Sequence, residues 1–156
     1  MCETTKTGIF FLIIKQITMS NSYHLRNDNS EIGIKVKVGT IGNAVSRATR
    51  FRSGGSFEDV AKSAKSDASG AISTTKIGIS NELIGATIVV DVAILLEGVP
   101  KNQLDQAFEN LFVRVTLFGG LDVEQFYDIT TIEKKQFMDK RLIVASKAIK
   151  LITQII

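Results

Sequence analysis

Between Ala86 and Glu97 every even position is apolar: Ala86, Ile88, Val90, Val92, Ile94 and Leu96. The odd positions are Thr87, Val89, Asp91, Ala93, Leu95 and Glu97. Side chains alternate between faces along a strand, so this two-residue period predicts a strand with one wholly apolar face. The period returns in Leu111 to Phe118, where Leu111, Val113, Val115 and Leu117 face Phe112, Arg114, Thr116 and Phe118. It returns again in Glu31 to Val38, with Ile32, Ile34, Val36 and Val38 set against Glu31, Gly33, Lys35 and Lys37. A chain with three such segments must build a sheet and find cover for its apolar side.

The cover is expected from helices. Ile41, Ala44, Val45 and Ala48 fit a helix at 41–49. Ser56, with Asp59 three residues later, reads as the cap of a helix at 57–66, and Leu104, Ala107, Phe108 and Leu111 follow Pro100 at helical spacing over 101–110. Thr130 and Glu133 have capping-box spacing ahead of Met138, Leu142, Ala145, Ile149, Ile152 and Ile156, which predicts a long C-terminal helix over 131–154. The expected fold is therefore one α+β domain spanning 1–156, a mainly antiparallel sheet of four or five strands packed by helices. Ala71 to Ser80 supplies a further strand candidate, and antiparallel pairing of the two longest strands would set Asp91 opposite Arg114. Leu142-Ile143-Val144 and Ile149-Lys150-Leu151-Ile152 are rich in β-branched residues, so an all-β sandwich is the alternative if 134–154 form strands.

Scarce residues limit the chemistry. Cys2 is the only thiol and His24 the only imidazole in 156 residues, so no intramolecular disulfide, cysteine-rich zinc site or multi-histidine metal centre can form. His24 sits in a Ser- and Asn-rich run that reads as a loop. Asp122, Glu124 and Asp128 lack the closing ligands of a calcium loop and read as a solvated acidic segment. No phosphate-loop, dinucleotide, nucleophile-elbow or zinc-protease string occurs, so no catalytic residue, cofactor or metal is assigned. The apolar run Gly8 to Ile14 is too short for a membrane span and makes a poor signal peptide. It reads as a strand or as an extension upstream of Met19, and a cytoplasmic location is expected, with export the alternative.

Two surfaces remain as candidates. The chain is mildly basic, at +3, and the excess lies early: residues 1–53 carry eight basic against three acidic side chains, the remainder eleven against thirteen. Within that third, Arg47, Arg50 and Arg52 precede Gly54, Gly55 and Ser56, a glycine-rich loop running into an expected helix N-terminus. Such a loop presents backbone N–H groups and guanidinium forks to phosphate, with Phe51 free to stack on a base. The second surface is the mixed sheet face. If helices cover one side, Val89, Leu95, Phe112 and Phe118 are left on the other, and such a face marks an interface. The favoured reading is a non-catalytic structural or interaction protein that self-associates through this face; the alternative is a phosphate or nucleic-acid binder using the arginine loop.

Overall fold

The computed structural model describes residues 21–153. In chain order these form β1 (Ser22–Leu25), β2 (Glu31–Gly39), β3 (Asn43–Phe51), β4 (Glu58–Lys62), β5 (Ile72–Ile79) and the single-turn helix α1 (Ser80–Leu83). Then come β6 (Thr87–Leu95), a 3-10 turn at Lys101–Gln103 leading into α2 (Leu104–Glu109), and β7 (Phe112–Phe118). The chain continues through β8 (Glu124–Asp128), a 3-10 turn at Thr131–Glu133, β9 (Lys134–Phe137) and β10 (Leu142–Thr153).

The strands sort into two sheets. The larger has the order β1-β10-β6-β3-β4, with β9 also paired to β10; the smaller has the order β5-β2-β7-β8. Every pairing is antiparallel except β1 with β10. The alternation seen in the sequence decides how they meet. Ile32, Ile34 and Val36 of β2 and Val113, Val115 and Leu117 of β7 are buried from the smaller sheet. Ile88, Val90, Val92 and Ile94 of β6 and Ile143, Ala145, Ile149 and Leu151 of β10 are buried from the larger, and all belong to one apolar core. Each sheet is thus the cover of the other, and burying a large aliphatic side chain contributes roughly 1.5–3 kcal/mol.

This arrangement corrects the α+β expectation. Among the described residues there is no long C-terminal helix, and the sheets number two rather than one. The capping box at Thr130 is real, with the Thr130 N–H and hydroxyl both donating to Glu133 Oε1, but it closes a single 3-10 turn. Beyond it β9 and β10 form a hairpin through Met138, Asp139 and Lys140, all three at positive φ. Segment 41–49 falls mostly in strand β3: Ala44, Ser46 and Ala48 point inward while Val45 and Arg47 point out, so its apolar residues serve both faces. Segment 57–66 holds the short edge strand β4, not a helix. The helix at 101–110 and the strand at 71–80 do form, as the 3-10 turn with α2 and as β5.

Two smaller expectations also change. β6 and β7 lie in different sheets, so Asp91 and Arg114 do not pair. Arg114 is opposite Asp128 and Asp91 is opposite Arg47 and Ser146. His24 is on strand β1 rather than in a loop, and its Nδ1 lies 3.3 Å from Asp122 Oδ2. The N-terminal segment 1–18 and Cys2 fall outside the described residues.

Candidate functional site

The arginine loop is a hairpin turn. Arg47 and Arg50 lie on β3 facing β4, where Arg47 Nε is 3.8 Å from Asp59 Oδ1 and Arg50 forms an ion pair with Glu58. Arg52 Nη1 donates to the Ile84 carbonyl at 3.1 Å. Gly54, at φ +77, and Gly55 make the turn, which a hydrogen bond from Gly55 N–H to Arg52 O closes. Ser56 is exposed, and the chain passes directly into β4 with no helix N-terminus to gather N–H groups. Phe51 stacks on Phe57, the ring centroids 4.7 Å apart. Asp59, expected as the partner of a helix cap at Ser56, and its neighbour Glu58 are here the ion-pair partners of Arg47 and Arg50.

Val89 and Leu95 stand on the outer face of the larger sheet, Phe112 and Phe118 on the outer face of the smaller. The single mixed face expected from the sequence is therefore divided between opposite sides of the protein. On the larger sheet the strand register gathers the apolar residues. Leu95 lies opposite Leu142, and Leu142 opposite Phe137; in the next row Val45, Ala93 and Val144 are opposite one another. Val45 is 66% exposed, Leu95 45% and Phe137 48%. Val89, farther along β6, is half-buried. Periodicity showed which side chains share a face of one strand; Val45 and Phe137 escaped it because their strands were read as helix.

Most charges beside this strip are offset. Arg47 and Lys62 both approach Asp59, Lys62 Nζ at 3.1 Å from Oδ2. Asp91 lies opposite Arg47 and accepts a hydrogen bond from the Ser146 hydroxyl at 2.8 Å. Lys135, exposed on β9 opposite Val144, adds one positive charge at the end of the second row.

On the smaller sheet Arg114 donates to both oxygens of Asp128, at 2.7 and 3.0 Å. The Arg114 hydrogen bonds hold the Asp128 carboxyl below the usual carboxylate range, helped by the Arg114 and Lys147 charges. Tyr23, fully buried, accepts from Gly120 N–H at 2.7 Å, and burial raises its phenol. Tyr127 donates to the Ser22 carbonyl at 2.7 Å, and its phenol too is raised by burial. These contacts tie the β7–β8 hairpin to β1.

An open cleft of about 370 Å³ lies between the β2–β3 turn and α2, where Thr40, Ile41, Gln103, Gln106 and Asn110 line it. None of its lining side chains titrates, so it offers neither a general acid nor a base. Among the described residues no group of three or more His, Cys, Asp or Glu side chains is placed to hold a metal ion, and no helix is long and apolar enough to cross a membrane. Comparison with protein families, with curated proteins and with solved structures finds no match for this chain.

Proposed function

We propose that the protein is a non-catalytic interaction module that self-associates through the outer face of its larger sheet. The observation that carries this reading is the in-register apolar strip formed by Leu95, Leu142 and Phe137 with Val45, Ala93 and Val144. Contiguous apolar surface of this kind, rimmed by polar groups, is a mark of association surfaces.

A second copy is the occupant that fits best. A two-fold interface brings a patch against itself, so any net charge in it is doubled and repelled. Here Asp59 and Asp91 offset the nearby Arg47 and Lys62 within the chain. When two such strips meet, these four charges cancel within each chain, and the Lys135 beside Val144 is exposed on a long stem that turns its ammonium out to solvent at the rim. Phe112 and Phe118, on the other sheet, take no part in this contact.

Sedimentation equilibrium of the wild type and of Leu95→Asp tests the reading. Leu95 is exposed in the single chain, so the substitution leaves the fold intact. The wild type is expected to show twice the chain mass of 17.0 kDa and Leu95→Asp the chain mass itself. A monomeric wild type, or an aspartate variant that still dimerises, overturns the proposal.

A further inference from the structure

The outer face of the smaller sheet carries a different pattern, of rings and cations. Along β2 its outward positions read Gly33, Lys35, Lys37 and Gly39. Each glycine lies opposite a phenylalanine of β7, Gly33 opposite Phe118 and Gly39 opposite Phe112. The rings lie against β2: a Cβ placed at Gly33 would lie 3.9 Å from Phe118 Cδ2, and one at Gly39 3.8 Å from Phe112 Cδ1, both ordinary van der Waals contact. Lys35 and Lys37 project between these two positions. Both are exposed, and neither has an ion-pair partner among the described residues.

Next to them is a second aromatic pair. The Arg114 guanidinium carbon lies 5.2 Å from the Phe112 ring centroid and 4.9 Å from that of Phe126. Asp128 grips Arg114 from the side, so its charge is matched within the sheet and its role is to hold two rings in place. Phe112 remains 37% exposed and Phe126 53%. The face thus combines fixed, open aromatic surface with two uncommitted ammonium groups.

That combination matches a polymer of planar rings joined by anions. Bases stack on aromatic side chains whatever their sequence, and lysines neutralise the phosphodiesters between them. Residues two apart on one strand face are about 6.8 Å apart, so Lys35 and Lys37 can take successive phosphates of an extended strand. An acidic protein segment would satisfy the lysines but offers no flat rings for Phe112 and Phe126, and a duplex keeps its base faces stacked inside. We infer that the outer face of the smaller sheet binds single-stranded nucleic acid, bases on Phe112 and Phe126 and phosphates on Lys35 and Lys37. The site is distinct from the arginine hairpin and lies on the opposite side from the self-association strip.

Fluorescence anisotropy with a short labelled oligothymidylate, at several salt concentrations, tests this on the full chain. Binding is expected, with a log–log salt slope of about −1.4, the value for two phosphate contacts on a single strand. Lys35→Ala with Lys37→Ala should bring the slope close to zero. Phe126→Leu, which keeps an exposed apolar side chain but removes the ring, should weaken binding roughly 5- to 100-fold. The inference is overturned by no binding at low salt, by affinity indifferent to Phe126→Leu, or by inorganic polyphosphate bound as tightly as the oligonucleotide, which would mark a site for anions alone. Binding abolished only by replacing Arg47, Arg50 and Arg52 with alanine would move the contact to the hairpin and equally overturn it. A change of sedimentation mass in Phe126→Leu would assign this face to protein contact instead.

Discussion

Lys147 Nζ and Glu133 Oε1 meet at 2.9 Å, with both side chains almost wholly removed from solvent, at 5% and 3% exposed. Lys147 points inward from β10, among positions filled elsewhere by Ile143, Ala145, Ile149 and Leu151. Its ammonium also donates to the Asp128 carbonyl at 3.1 Å, and Glu133 Oε1 takes the Thr130 N–H and hydroxyl as well. The pair therefore links the larger sheet to the end of β8 and to the turn before β9.

Removing one member of such a pair strands the other charge. Lys147→Met is expected to cost about 3–5 kcal/mol in denaturant unfolding, whereas Lys147→Met combined with Glu133→Leu should recover much of that loss. A single variant as stable as the wild type would show that the pair is not desolvated in solution.

The same lysine explains why residues 134–153 do not read as strands from the sequence alone. A strand whose inward row contains a lysine, and whose outward row contains Val144, breaks the apolar–polar alternation by which β2, β6 and β7 are legible. Helical spacing then fits Leu142, Ala145 and Ile149 just as well. Ser46, buried on β3, hides that strand in the same way. Pairing was less legible still: β6 and β7 share one pattern, and nothing in an alternation says whether two strands are neighbours or face each other across a core. That ambiguity leads to the expectation of a single sheet with one bare apolar face; the inner faces of two sheets instead cover each other, and the apolar side chains left outside are split between the strip around Leu95 and the rings of the smaller sheet. In the hairpin, Glu58 and Asp59 follow the arginine loop closely in sequence, but only the folded β3–β4 hairpin sets Glu58 opposite Arg50 and brings Asp59 within ion-pair reach of Arg47.

Gly119, after β7, has φ +94, and a Cβ there would run into the Glu31 carbonyl oxygen, part of a neighbouring strand that cannot swing away. Gly119→Ala should therefore destabilise by at least about 1–3 kcal/mol, the usual cost of forcing a side chain into that backbone region. Thermal unfolding checks this, with Gly54→Ala as the comparison: it shares a positive φ but meets nothing within 4 Å, and should lose less. Equal losses in the two variants would mean that the approach to Glu31 adds nothing.

Acid should act through Asp128. Because Arg114 holds its carboxyl below the ordinary range, the folded state binds that proton less readily than the unfolded chain. The stabilisation is fully present above the unfolded value of about 3.9 and is lost as the pH falls through the lower folded value. Asp128→Asn should consequently flatten the fall in Tm between about pH 4 and pH 2. An identical acid limb in wild type and variant would remove Asp128 from the account.

NMR cross-saturation in the unmodified sequence tests whether two chains meet through the outer face of the larger sheet. One population is deuterated with labelled Ile, Leu and Val methyl groups, the other is protonated and unlabelled, and the two are mixed before the unlabelled partner is irradiated. The methyl signals of Val45, Leu95, Leu142 and Val144 are expected to lose intensity while those of Val38, Leu121 and Val123, outside the strip, keep theirs. No attenuation at those four residues, or attenuation confined to residues outside the strip, would contradict the account.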